Sequence, residues 1–366
     1  MHILHIVGAR PNFMKAAPVL RVLSRWPNFV QSLVHTGQHY DNNMSAVFLS
    51  QLGIPNPDEN LNVGSGSHAK QTAEVMSRLE PVLLSRKPDI VVVYGDVNST
   101  MAATLVCSKL LIPVAHVEAG LRSFDSTMPE EINRVVTDRL ADILLTPSED
   151  ADKNLLREGV APERIHRVGN VMIDTLTHLL PLAKACPTNG LSGRYALVTL
   201  HRPSNVDDPE VLQGILKSLS NVSGELKVVF PVHPRTRQRI EALGLKFDHL
   251  HLLDPLPYIE FLSLQTRATV VITDSGGIQE ETTYLGIPCL TVRNNTERPI
   301  TITVGTNVLV GQNPVALTAQ VSKILDGHCK PGSIPPLWDG HTAERIADVI
   351  GKLLVCSSPV LQASLS

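Results

Sequence analysis

The sequence predicts an α/β chain built from two doubly wound parallel sheets. Short runs rich in Val and Ile recur along it, each followed by a segment with helical periodicity. The run VVVY (91–94) is apolar at successive positions, as a parallel strand buried on both faces requires. The alternation restarts near residue 195, and 366 residues suit two domains of ordinary size.

In the first half, strands are expected at 2–7, 29–36, 89–95, 113–118 and 142–147. Helical patterns fall between them, at Phe13–Arg25, Thr72–Ser85, Thr100–Leu111 and Glu130–Ala141. In the second half the strands are 195–200, 227–232, 249–254, 269–274 and 288–292, again separated by helical stretches. Strand–helix alternation implies right-handed crossovers and doubly wound sheets. Pro187, Asn189, Gly190 and Gly193 lie between the halves, but the hinge is placed near Gly169–Asn170, because the helix from about Met172 fits the second half. The expected domains are therefore 1–168 and 169–341, with a last helical pattern, Thr342–Leu354 within 342–366, packing back on the first. Two Rossmann-like domains facing across a cleft form the architecture called GT-B.

Composition narrows the function. With 43% hydrophobic and 18% charged residues the chain can bury two cores, and a net charge of −3 argues against a nucleic-acid partner. The N-terminus MHILHIVGARPNFMK lacks the pattern of a signal peptide, and no apolar run approaches the ~20 residues of a membrane helix. Cys107, Cys186, Cys289, Cys329 and Cys356 are scattered, as reduced thiols of a cytoplasmic protein would be.

In wound sheets ligands bind beyond the carboxyl ends of the strands. The first strand ends in GARPNFMK (8–15), which is neither a dinucleotide nor a P-loop fingerprint, and no acid follows the second strand to hold a ribose. A nicotinamide site is not expected. Arg10 and Lys15 near the helix start suit a phosphate or sugar, or are two solvated cations. DSGGIQEE (274–281) speaks more clearly. Ser275, Gly276 and Gly277 precede a helix whose amides and dipole favour an anion such as a diphosphate, and Glu281 can accept from ribose hydroxyls. The plain alternative is a strand–helix turn capped by Asp274 or Ser275.

Three acids follow strand ends of the first half: Asp96, Glu118 and Glu130. Converging there, they would be pushed apart in pKa and suited to acid/base work. Each also has a structural alternative: Asp96 as a helix cap, Glu118 paired with Arg122, Glu130 in a capping box with Thr127. Arg134, one turn beyond Glu130, is placed to orient it. His201 in TLHRPSN and His233 in PVHPRTR each follow a strand and can donate to a phosphate oxygen or stay as loop hydrogen-bonders. His249 and His251 share one strand face and read as structural, with no zinc spacing in the sequence.

Taken together, GARPNFMK, YGDVNST, HVEAGLRS, PEEINR, HPRTR, TDSGGIQEE and NNTERP resemble the non-hydrolysing UDP-N-acetylglucosamine 2-epimerases, in order from Gly8 to about Arg345. That resemblance implies acid/base roles for Asp96, Glu118 and Glu130 and a diphosphate-side role for His201. It implies nucleotide contacts at Arg10, Ser275, Gly276, Gly277, Glu281 and Arg298, and sugar-side contacts at Lys15 and Arg134. It also implies a GT-B fold, no cofactor (neither metal nor nicotinamide), a UDP-sugar as partner, and a homodimer. Two departures stand out: SFDSTM (123–128) is shorter than the family's usual insertion, and Tyr40 replaces the usual arginine after Gln38 and His39. Both fall near where many bacterial members bind a second, activating UDP-sugar.

The implied reaction is removal of the C2 proton with loss of UDP, giving a 2-acetamidoglucal that is reprotonated on the other face and recaptured by UDP. Rivals are a hydrolysing epimerase releasing UDP and N-acetylmannosamine, an epimerase of a UDP-diacetamido uronic acid, a GT-B glycosyltransferase, and a silent nucleotide-sugar sensor.

Overall fold

The computed structural model describes residues 1–38, 46–187, 191, 193–222, 224–244 and 250–355. His39, Tyr40 and His249 lie outside them. The chain divides into two units, Met1–Thr175 with Pro336–Ser366, and Leu176–Pro335. The boundary falls inside the helix Val171–Ala185.

The first unit holds β1 (His2–Val7), β2 (Val30–His35), β3 (Glu59–Asn60), β4 (Ile90–Tyr94), β5 (Val114–Val117), β6 (Ile143–Thr146) and β7 (Ile165–Arg167). The second holds β8 (Tyr195–Thr199), β9 (Lys227–Pro231), β10 (Leu250–Leu253), β11 (Val270–Thr273), β12 (Cys289–Thr291) and β13 (Asn307–Leu309). Their orders, β3-β2-β1-β4-β5-β6-β7 and β10-β9-β8-β11-β12-β13, are those of doubly wound sheets. Every pairing is parallel, with Ile3 opposite Ile90 in one sheet and Val270 opposite Ala196 in the other.

Burial on both faces explains the continuous apolar strands. All five residues of β4 are buried. Leu4, Ile6, Val91 and Val93 join Leu79 and Leu83 of the helix His68–Arg86 and Val106 of the helix Asn98–Lys109 in one core. In the second unit Val198, Phe230, Val270 and Ile272 pack with Leu212, Leu216 and Leu219 of the helix Pro209–Val222.

The helix Thr342–Val355 packs on the helix Arg10–Leu23 of the same unit. Its first amides are held by Asp174, whose carboxylate accepts from Thr342 N at 3.1 Å and Ala343 N at 2.7 Å. Trp338, fully buried, donates its indole N–H to Pro147 O at 3.0 Å and pins the preceding segment to the same unit. Among the described residues no helix is long and apolar enough to cross a membrane.

In each sheet the order reverses at the centre, between β1 and β4 and between β8 and β11. Two neighbouring strands there send their following loops in opposite directions, which opens a crevice at their carboxyl ends.

Candidate active site

In the first unit the β1 loop is closed by its own side chain. Asn12 accepts from the amides of Gly8 and Ala9 at 3.1 and 3.0 Å and donates to Tyr94 O at 2.7 Å. Amides that would cradle phosphate in a dinucleotide fold are thus already satisfied. Arg10 stands exposed at the first residue of the helix Arg10–Leu23.

Lys15 lies one turn further and is buried, with Nζ 2.6 Å from Glu118 Oε1. Gly95 makes room for it. A Cβ there would sit 2.7 Å from Lys15 Nζ, and the backbone φ of +63° also favours glycine. Glu118, directly after β5, is buried and has φ +74°, a left-handed conformation that costs a side chain energy. Its amide and that of Ala119 both donate to Leu145 O at 3.1 Å, which fixes that conformation. Glu118 is therefore paired with Lys15, while Arg122 pairs with Asp138 and Glu158.

Asp96, directly after the β4 turn, is part-exposed and accepts from Arg134 Nη1 at 2.6 Å. Its carboxylate does not cap the next helix, which has Val97 at its N-cap and no side-chain capping bond. The helix Pro129–Leu140 likewise starts from Met128, without a side-chain capping bond. Thr127 turns to Asp125 instead. Glu131 is the structural acid here. It accepts from Ser123 N, Ser123 Oγ and Phe124 N at 2.9, 2.9 and 3.0 Å, and from Arg134 Nη2 at 2.7 Å. Burial works against its charge, but these donors hold its pKa below the ordinary value. Arg134, expected to orient Glu130, thus bridges Asp96 and Glu131, and Glu130 itself is exposed at the second helical residue.

A buried network braces these strand ends. His116 of β5 bridges Asp138 at 2.6 Å and Gly95 O at 2.8 Å, and Asp138 also takes the amide of Gly120 at 3.0 Å. Gln38 Oε1 accepts from Ser99 N and Oγ, and Gln71 is bonded to Gln38 O, Gly64 O and Asn98.

In the second unit Asp274 directly follows β11 and is fully buried, but it caps no helix. Its carboxylate crosses to the β8 loop, accepting from the amides of His201 at 3.0 Å and Arg202 at 2.9 Å, from Asn205 Nδ2 at 3.0 Å, and pairing with His201 Nδ1 at 2.8 Å. Ser275 occupies the N-cap of the helix Gly276–Leu285, and its side chain makes no capping bond. The two glycines differ. A Cβ on Gly276 would lie 2.4 Å from Arg298 Nη1, whereas a Cβ on Gly277 meets nothing within 4 Å. Gly276 admits the arginine, and Gly277 fronts open space.

Arg298 is buried beside two acids, with Nε 2.8 Å from Glu280 and Nη1 2.6 Å from Glu297. Arg293 and Arg202 also reach Glu297, at 2.8 and 3.4 Å. Burial opposes the Glu297 charge, yet these three guanidiniums hold its pKa well below the usual carboxylate range. Glu281 is buried too, accepts from Tyr258 Oη at 2.9 Å, and is pushed up to about 7 by burial. His233 sits apart in role as the N-cap of the helix Pro234–Ala242, its Nδ1 accepting from Arg235 N at 3.4 Å. Among the described residues no three His, Cys, Asp or Glu side chains are grouped to hold a metal.

Asp274, Glu131, Glu280, Glu297, Arg202 and Tyr258 were not singled out as site residues from sequence. A signal existed for two of them: Asp274 ends a buried strand at a switch point, and Glu297 immediately precedes Arg298.

A profile described as UDP-N-acetylglucosamine 2-epimerase matches residues 21–351 of the chain. The chain belongs to the UDP-N-acetylglucosamine 2-epimerase family. A Methanococcus maripaludis UDP-N-acetylglucosamine 2-epimerase is 42% identical over 94% of this chain and 97% of its own length. A Pseudomonas aeruginosa UDP-2,3-diacetamido-2,3-dideoxy-D-glucuronate 2-epimerase is 43% identical over 96% and 100%. The crystal structure of the Methanocaldococcus jannaschii family member in complex with UDP-GlcNAc and UDP matches with a TM-score of 0.89 at 42% identity, covering 96% of this chain and 100% of that one. The family's GT-B-type pair of wound parallel-sheet domains is thus the fold of this chain.

Proposed function

We propose that the chain interconverts UDP-N-acetylglucosamine and UDP-N-acetylmannosamine by elimination and re-addition of UDP, without net hydrolysis. The observation that carries this reading is the acid set of the first unit. Glu118 is held at φ +74° against Lys15, and Asp96 against Arg134, both directly after central strands. An ion-paired acid on strained backbone, Glu118, and a second ion-paired acid at a neighbouring strand end, Asp96, suit proton transfer better than packing. The exposed Glu130 adds a third group whose geometry leaves it accessible.

The C2 hydrogen of the sugar is not activated by a carbonyl, so proton removal is coupled to departure of UDP. A carboxylate of the set, acting as base, takes the C2 proton as the C1–O bond breaks and its electrons leave with the β-phosphate. The C1=C2 bond of a 2-acetamidoglucal forms. Delivery of a proton to the opposite face of C2 and return of UDP to C1 give the epimer. The second unit holds the leaving group, with the Gly277 amide and helix dipole and Arg298 on the diphosphate, His201 donating to it, and Glu281 on the ribose.

The nearest competitor in chemistry lets water finish the reaction. Product analysis separates the two. Incubation with UDP-N-acetylglucosamine should leave total UDP-sugar constant while UDP-N-acetylmannosamine rises to the ratio reached from the other direction. Accumulation of UDP and free N-acetylmannosamine would establish a hydrolysing enzyme instead. A second substrate is supported by the Pseudomonas aeruginosa relative, whose 43% identity is level with the 42% of the relative named above for UDP-N-acetylglucosamine. The same assay with the diacetamido uronic acid nucleotide compares kcat/KM for the two.

A further inference from the structure

His201 is unlike an ordinary loop histidine. Its side chain is 57% exposed, yet Nδ1 lies 2.8 Å from the fully buried carboxylate of Asp274. Asp274 Oδ2 takes three donors, the amides of His201 at 3.0 Å and Arg202 at 2.9 Å and Asn205 Nδ2 at 3.0 Å, while Oδ1 faces the imidazole at 2.8 Å and shares the His201 amide at 3.2 Å. The other charges around the pair are spoken for. Arg202 donates through Nε to Asp274 O at 3.1 Å and reaches Glu297, which is shared with Arg293 and Arg298. Burial alone would raise the Asp274 pKa, but the bonds and charge of His201 with those of Arg202 and Asn205 outweigh it and leave the carboxyl below the usual range. An ionised carboxylate has no proton to give, so Nδ1 must donate.

We infer that Asp274 is a positioning residue that fixes His201 in the Nδ1–H tautomer, so that Nε2 is the nitrogen presented to the leaving diphosphate. The inference rests on the phosphate-side reading of His201. A neutral imidazole offers Nε2 as an acceptor, and the imidazolium offers Nε2–H as a donor to a β-phosphate oxygen. The same carboxylate ties the loops of the two switch strands together, so the ring is held in place as well as in protonation pattern. The arrangement follows the logic of a buried carboxylate orienting a working histidine in unrelated hydrolases.

Asp274→Asn makes the argument testable. The three donors at Oδ2 keep the amide oxygen there, which turns the NH2 group toward His201 Nδ1. That nitrogen must then accept, and the proton moves to Nε2. The experiment is nitrogen-15 NMR of the histidine-labelled full chain above pH 8 with UDP present, His201→Gln identifying the resonance. The wild type should carry its proton on Nδ1 and D274N on Nε2. In turnover of UDP-N-acetylglucosamine, D274N should lose at least ~10-fold in kcat with KM within ~3-fold, and H201Q/D274N should be no slower than H201Q.

A wild-type ring protonated on Nε2 overturns the inference even if D274N does not fold, since only H201Q is needed to assign the resonance. Multiplying losses in the double variant overturn it as well, since they would mark Asp274 as acting through loop structure. If the wild type shows the Nδ1–H tautomer and binds UDP but turns over no UDP-sugar, the proposed reaction fails and the positioning stands.

Discussion

Replacing Glu281 with glutamine should stabilise the protein at alkaline pH while weakening its grip on UDP. Glu281 is buried, and burial raises its carboxyl from 4.5 to about 7. Its folded-state pKa lies above the unfolded one, so the folded protein keeps the proton that the unfolded chain gives up. The stability tied to that proton is fully present below about pH 4.5 and is lost as pH rises through about 7. From 4.5 to about 7 the loss amounts to ~3 kcal/mol at ~1.4 kcal/mol per pH unit, and ~2 kcal/mol of it falls between about pH 5.5 and 8.5. Glutamine carries no such proton. E281Q should therefore gain on the wild type by on the order of 4–8 °C in melting temperature between those two pH values, at ~2–4 °C per kcal/mol for a domain of this size. On the ribose role proposed for Glu281, UDP should bind ~10–100-fold more weakly, because charge-assisted bonds to the hydroxyls would become neutral ones. Calorimetric melts at the two pH values and titration with UDP read both effects. A melting difference that stays constant with pH would refute the buried-acid argument, and unchanged UDP affinity would refute the ribose assignment.

The paired glycines separate packing from ligand contact. Gly277→Ala, with nothing within 4 Å of the new Cβ, should keep or raise the melting temperature yet lower UDP affinity at least ~10-fold. Unchanged affinity in calorimetry would place the anion elsewhere. Gly95→Ala should displace Lys15 from Glu118 and cost ~1–2 kcal/mol through its positive φ, with turnover falling alongside; a variant with wild-type melting and rate would contradict the contact. Asp96→Asn, Glu118→Gln and Glu130→Gln should each lose ~10²–10⁴ in turnover with UDP affinity kept. Full turnover in any of them removes that acid from the set.

Much of the fold was legible because the central strands are long and buried on both faces, so β4 and β11 announce themselves as apolar runs. The unread strands are two- or three-residue edges. β3 is exposed at both residues, β7 is half-buried or exposed throughout, and β13 has a single buried residue. Such strands lack the pattern that periodicity detects. The helix Arg10–Leu23 begins three residues before its periodic stretch, since Arg10 and Pro11 open it without apolar character. Within the site, the motifs located the strand ends but not the partners. Asp274 looks like a cap because its sequence neighbours form a helix start, yet its donors come from His201, Arg202 and Asn205 on another loop. Of the adjacent acids Glu130 and Glu131, sequence could not tell which would face inward. The short turn at Ser123 and Phe124 decides it by presenting two amides to Glu131. Ion pairs such as Lys15–Glu118 join residues a hundred positions apart and appear only once the sheet order is known.

In the proposed reaction the C2 proton leaves as UDP departs and returns from a group that exchanges with solvent. Proton NMR of the enzyme with UDP-N-acetylglucosamine in D2O tests it most directly. The C2 proton signal should disappear from substrate and product alike, with deuterium at C2 of both epimers and the UDP-sugar otherwise intact. Formation of UDP-N-acetylmannosamine that retains its original C2 hydrogen would contradict it.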